Sequence, residues 1–160
     1  MKKYKILFVC TGNTCRSPMA EIILKQELKE SGIDWVRVKS VGTSVNEGDK
    51  ISVNARLALK KLGYKVSDFK PKQITEKTIK SSNVVICMTE LQKKALESYK
   101  NVYTFDEVTG LGEIADPYGG ELSDYIVCAK RIENACDVIY NTIKQQNKKK
   151  EGKNESSDRV

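Results

Sequence analysis

The alternation of strand-like and helix-like segments predicts an α/β fold: a small doubly wound domain with a four-stranded parallel sheet flanked by helices. Three observations predict it. Short β-rich apolar runs recur, as at Ile6–Val9 and Val84–Met88, the pattern of strands buried on both faces. Segments with apolar residues at helical spacing separate those runs. A turn beginning at Cys10 joins the first run directly to the first helix, at the carboxyl end of a strand, where such sheets bind ligands.

Each element has its own signal. Residues 4–9 read as a buried strand. Residues 18–31 read as a helix, with Ala20, Ile23, Leu24 and Leu28 on one face and Gly32 as its stop. Residues 35–41 alternate apolar and polar as a second strand. Ala55, Ala58, Leu59 and Leu62 mark a helix ending at Gly63. Residues 84–88 form a third strand, a helix follows near 90–98, and residues 102–105 form a short fourth strand. Tyr125, Cys128, Ile132, Ala135, Ile139 and Ile143 line one face of a long last helix. Residues 1–146 read as one domain, and 147–160 as a polar, disordered basic tail.

Composition narrows the chemistry. The 160 residues suffice for one core. There is no histidine, which excludes Ser-His-Asp and Cys-His catalysis and histidine-ligated metal on this chain. Any nucleophile must be activated by surrounding charge and dipoles. Five cysteines at irregular spacing give no disulfide framework. The start Met1-Lys2-Lys3-Tyr4 has no signal-peptide pattern, and no apolar run reaches membrane-spanning length. These features predict a cytoplasmic protein without membrane association. The net charge is +7. The basic tail lacks interleaved aromatics, so it reads as solvated chain and no nucleic-acid partner is expected.

The decisive stretch is Cys10-Thr11-Gly12-Asn13-Thr14-Cys15-Arg16-Ser17. A cysteine and an arginine bracket five residues at a strand-to-helix turn. Backbone N–H groups of such a turn form an anion nest, and the helix N-terminus adds partial positive charge. Arg16 offers a planar fork for two oxygens of a phosphate. Cys10 lies where those surroundings favour thiolate, the nucleophilic form. Gly12 and Asn13 tolerate the positive φ that a tight loop needs. Ser17 has two readings: a helix cap ahead of Pro18, or a hydroxyl partner for the Cys10 sulfur. Glu21 is placed in the first helical turn, facing the dipole. Far downstream, Asp116-Pro117-Tyr118-Gly119-Gly120 reads on its own as an ordinary turn, and it also places a carboxylate where it could protonate a leaving group.

Together these segments resemble the low-molecular-weight protein tyrosine phosphatase family, from about residue 4 to 145. The resemblance rests on C-T-G-N-T-C-R-S-P-M-A-E, on the Ser40-Val41-Gly42-Thr43 turn, and on the late D-P-Y-G. It implies a flavodoxin-like fold, a phosphocysteine intermediate, and no metal or cofactor, because Arg16 and the loop amides carry the electrostatic work. Cys10 is then the nucleophile, Arg16 and the loop 11–17 hold the phosphate or another oxyanion, and Asp116 is first acid and then base. It also implies that Asn13 and Ser40 support the loop. Thr14, with no aromatic in Ser44-Val45-Asn46-Glu47, resembles the protein arginine phosphatase branch, with Tyr118 supplying the remaining wall. The expected substrates are phosphorylated proteins, with phosphoarginine ahead of phosphotyrosine.

Rival readings are weaker. Thioredoxin-coupled arsenate reductases share the loop but need a cysteine pair after the third strand, where Cys87 stands alone. A non-catalytic phosphoprotein binder is disfavoured because Cys10, Arg16 and Asp116 are all present. For Cys15 two readings stand: a redox partner of Cys10 or a packing residue. Cys87, Cys128 and Cys136 read as core.

Overall fold

In the computed structural model, which describes residues 2–157, four strands and six helices alternate. They are β1 (Tyr4–Cys10), α1 (Arg16–Glu30), β2 (Val36–Gly42), α2 (Val53–Lys61), α3 (Glu76–Ser81), β3 (Val84–Cys87), α4 (Glu90–Ala95), β4 (Val102–Thr104), α5 (Phe105–Thr109) and α6 (Leu122–Ser157). The sheet is parallel, in the order β2-β1-β3-β4. The order reverses direction beside β1, so a crevice opens where β1 and β3 end. Cys10 pairs with Gly42 in register at that end.

The period of two along β1 sends alternate side chains into two cores. Ile6, Phe8 and Cys10 join the residues of α1, α2 and α6, with Phe8 stacked on Phe105 at 5.4 Å. Leu7 and Val9 face the other way, onto Val85, Cys87, Ile79 and Leu96. Both faces of β1 are therefore sealed, and the loop after it springs from a rigid base.

Three local expectations change. Helix α1 starts at Arg16, two residues earlier than the apolar pattern indicates, with Cys15 as N-cap and no side-chain cap. Pro18 therefore sits in the first turn, where the absent N–H costs no helical bond. Glu21 lies beyond the first turn; its carboxylate accepts from Ser40 Oγ at 3.2 Å and pairs with Lys25 at 3.2 Å. Two short helices have no apolar period long enough to be read in the sequence. Thr75 caps α3 by accepting from Thr78 N–H, and a capping box of Thr104 and Glu107 turns the chain from β4 into α5.

The disordered tail expected from residue 147 is helical instead as far as Ser157; residues 158–160 lie outside the described residues. Two contacts anchor this extension to Trp35. Its indole N–H donates to Asn147 Oδ1 at 2.7 Å, and Lys150 Nζ lies 3.8 Å from the ring centroid. The Gln, Lys and Glu of this stretch are good helix formers. Among the described residues, no helix is long and apolar enough to cross a membrane.

An acidic cluster joins α1 to α6. Burial, then Asp137, Glu133 and Glu30, push the Glu27 carboxyl up from 4.5 to about 8, and its Oε2 is buried without a hydrogen-bond partner. The folded state thus holds a proton that the unfolded chain releases, so this site lowers stability as pH rises from about 4.5 through 8. Glu27→Gln is expected to raise the melting temperature at pH 8, with the gain vanishing near pH 4.5. Thermal melts across that range check it.

Candidate active site

The loop after β1 owes its shape to peptide orientation. The carbonyls of Cys10, Thr11 and Thr14 accept bonds from the N–H groups of Thr43, Ser44 and Ser52, at 3.0, 2.9 and 2.7 Å. A trans peptide directs its N–H opposite its carbonyl. Anchoring those three oxygens outward therefore turns the N–H groups of Thr11, Gly12 and Cys15 toward the loop's centre. The start of α1 adds its unpaired N–H groups and dipole to the same side.

Asn13 holds the bend. Its φ of 55° is positive, whereas Gly12 does not use that region. The side chain of Asn13 is fully buried and makes three bonds: Nδ2 donates to Ser17 Oγ at 2.8 Å and to Ser40 Oγ at 3.0 Å, and Oδ1 accepts from Lys72 N–H at 2.8 Å. The amide orientation follows from its partners, because the Lys72 N–H needs an acceptor. Ser17 Oγ lies 2.8 Å from Cys10 Sγ. Ser17 accepts from Asn13, and its single hydrogen has two acceptors in reach, the Val41 carbonyl at 3.4 Å and the nearer sulfur at 2.8 Å. Asn13 N–H also points at the sulfur, at 3.3 Å. Two donors thus converge on Sγ and stabilise negative charge there. Of the two readings of Ser17, the sulfur partner is the one observed.

Gly42 and Gln92 complete the frame. A Cβ on Gly42 would lie 2.6 Å from the Thr11 carbonyl oxygen and 2.9 Å from Asn13 N, so only glycine lets β2 pass this close. Gln92 is buried, accepts from Thr89 N–H at 2.9 Å and donates to Thr11 Oγ1 at 3.0 Å. Nothing in the sequence marks Gln92 or the Lys72 backbone, because their partners are 81 and 59 residues away.

Arg16 is 5% exposed; Nη1 donates to the Ile114 carbonyl at 3.0 Å, and Nη2 lies 3.6 Å from Asp116 Oδ2. Asp116 is half-exposed, and its Oδ1 accepts from Tyr118 N–H at 3.1 Å, which closes the turn. Arg16 and Asp116, 100 positions apart, so face one cleft of about 480 Å³. Thr14, Ser44, Asn46, Asp49 and Ser52 line one part of it. Tyr118 lines it too but is 88% exposed, while the buried Tyr125 of α6 adds an aromatic surface assigned from the sequence to the core alone.

The cysteines divide by environment. All five are unpaired. Cys15 lies against Cys128, which together with burial pushes its thiol far up and keeps it protonated. Burial pushes Cys87 up to about 12 and raises Cys136 as well. Among the described residues, no cluster of three cysteines, aspartates or glutamates has metal-binding geometry.

The family model for low molecular weight phosphotyrosine protein phosphatase matches residues 5–150. The chain belongs to that family. A protein-arginine-phosphatase from Geobacillus stearothermophilus is 36% identical over 143 residues, covering 85% of this chain and 93% of that one. The low molecular weight protein-tyrosine-phosphatase PtpB of Staphylococcus haemolyticus is 33% identical over 126 residues, covering 76% and 86%. A solved structure of YwlE arginine phosphatase, with a phosphorylated serine replacing its active-site cysteine, superposes with a TM-score of 0.79. It is 31% identical and covers 88% of this chain and 95% of that one. This chain is thus a cysteine-based phosphatase of that family.

Asn13→Ala is expected to lower kcat by about 100-fold with a smaller change in KM, because it releases the loop without removing a substrate contact. Gly42→Ala should act in the same direction through the Thr11 clash. Steady-state kinetics on p-nitrophenyl phosphate, with circular dichroism to confirm folding, check both.

Proposed function

We propose that this chain is a protein arginine phosphatase that works through a phosphocysteine. The observation that carries the proposal is the cleft itself, where Cys10, Arg16 and Asp116 meet beneath Thr14 and beside a wall of Ser44, Asn46 and Asp49. That wall is polar where a phenyl ring would want a stacking partner. Asp49 offers a carboxylate to a cationic guanidinium, and Asp116 becomes a second once it has given up its proton to the departing nitrogen. The relative from Geobacillus named for the same activity supports this reading.

The mechanism follows from the positions. Cys10 Sγ attacks phosphorus in line with the bond to the guanidino nitrogen. Arg16 and the inward N–H groups of the loop hold the three equatorial oxygens, whose charge is spread in the transition state. As the phosphorus–nitrogen bond breaks, Asp116 delivers a proton to the departing nitrogen and arginine leaves. Asp116, now ionised, takes a proton from water as it attacks the phosphocysteine. Sulfur departs as thiolate, stabilised by Ser17 and Asn13 N–H, and inorganic phosphate is released. Thr14 has its carbonyl fixed by Ser52 and lines the cleft, where its side chain selects the leaving group. Ser40 acts through Asn13 as support. The unpaired thiols fit a reducing, cytoplasmic compartment.

A phosphotyrosine reading draws on one specific feature, the paired aromatic surfaces of Tyr118 and Tyr125 at the cleft. Matched peptides bearing phosphoarginine or phosphotyrosine separate the two. Phosphate release is expected to favour phosphoarginine, to vanish in Cys10→Ser, and to fall about 100-fold or more in Asp116→Asn. Thr14→Ile should shift the preference toward phosphotyrosine by about tenfold. A wild-type preference for phosphotyrosine would overturn the arginine assignment.

A further inference from the structure

A cavity larger than the cleft lies away from the candidate active site, around the amino ends of β1 and β3. It encloses about 980 Å³, twice the space of the cleft. Strand β1 separates the two by seven residues, or roughly 20 Å of rise. The catalytic chemistry makes no use of it.

Its lining has two characters. The floor is aliphatic, built by Ile6, Ile86, Ile139 and Ile143, with Val108 at the edge. The rim is cationic, with Lys2, Lys3, Lys5, Lys80 and Lys150. No carboxylate among the described residues lines it. Glu76 pairs with Lys80 at 2.8 Å from outside the lining and offsets that one charge, so the net positive charge of the rim comes from Lys2, Lys3, Lys5 and Lys150. Trp35 closes one side, held by Asn147 and covered by Lys150, so the extension of α6 forms part of the wall.

An aliphatic floor under a lysine rim matches one ligand class. We propose that this groove binds a single-chain amphipathic anion: an unbranched aliphatic body with one phosphate head. The floor takes the chain by removing it from water, and the lysines hold the head. An anion without a tail gains nothing from the floor. An uncharged chain gains nothing from the rim.

Trp35 is the sole tryptophan, so its fluorescence reports directly on this groove. The test titrates the full chain with octyl and decyl phosphate, below their micelle concentrations, at low salt. A saturable change in emission is expected, with decyl phosphate about 15-fold tighter, since each buried methylene contributes about fourfold. Lys5→Gln combined with Lys80→Gln should weaken decyl phosphate by about fivefold. Val108→Gln should shorten the gain per methylene. Neither variant should alter turnover of a phosphopeptide, which also shows that both fold. The proposal is overturned by any of three results. They are the absence of saturation, equal affinity for the two chain lengths, or full displacement by inorganic phosphate at matched ionic strength, which would place the ligand in the catalytic loop.

Discussion

Everything at the active site depends on one buried side chain amide. Asn13 sits at a left-handed turn that most side chains avoid, and three hydrogen bonds hold it there. Those bonds reach α1 through Ser17, β2 through Ser40, and the connection before α3 through Lys72. The loop is thus fixed to three separate parts of the fold before any anion arrives. A loop already in its binding shape loses no energy to reorganisation when charge develops on the transferred phosphoryl group. The same amide orients Ser17, whose hydroxyl lies nearer the Cys10 sulfur, at 2.8 Å, than the Val41 carbonyl, at 3.4 Å. The proposed anion cradle and the proposed nucleophile are therefore parts of one hydrogen-bonded unit.

The second half of the site comes from the far end of the chain. Arg16 reaches the Ile114 carbonyl and Asp116, which joins the start of α1 to the loop before α6. Ile114 in turn donates its N–H to the Met88 carbonyl at the end of β3, at 3.1 Å. Asp116, the proposed proton donor, is thereby tied to the same sheet edge that carries Cys10, the proposed nucleophile. The doubly wound topology brings all of these to the carboxyl ends of adjacent strands. The half-exposure of Asp116 leaves it open to both leaving group and water, as the proposed role of acid and then base requires.

Much of this was legible in the sequence because it is local. The apolar runs of β1 and β3 and the helical spacing of α1 and α6 each draw on neighbours within a few residues. The spacing of Cys10, Arg16 and Ser17 also has a direct geometric meaning at a strand-to-helix turn. What escaped was non-local. Gln92, the Lys72 backbone and the contact of Cys15 with Cys128 depend on how separate elements meet, and no short pattern encodes that. The short helices α3 and α5 rest on side-chain caps and have little apolar periodicity. The extension of α6 past residue 147 was hidden for a related reason. A polar, lysine-rich stretch reads as solvated chain until Trp35 is seen to receive it.

The central claim is that Cys10, held in a preformed cradle, becomes covalently phosphorylated during turnover. The most direct measurement is intact-mass analysis of rapidly quenched enzyme in the millisecond range with p-nitrophenyl phosphate, whose leaving group departs without a proton from Asp116, using Asp116→Ala so that hydrolysis of the intermediate is slow, followed by mapping of the modified peptide. A single added phosphoryl group on Cys10, absent in Cys10→Ser, is the predicted result. Turnover without any phosphorylated cysteine, or with the phosphoryl group on another residue, would contradict it.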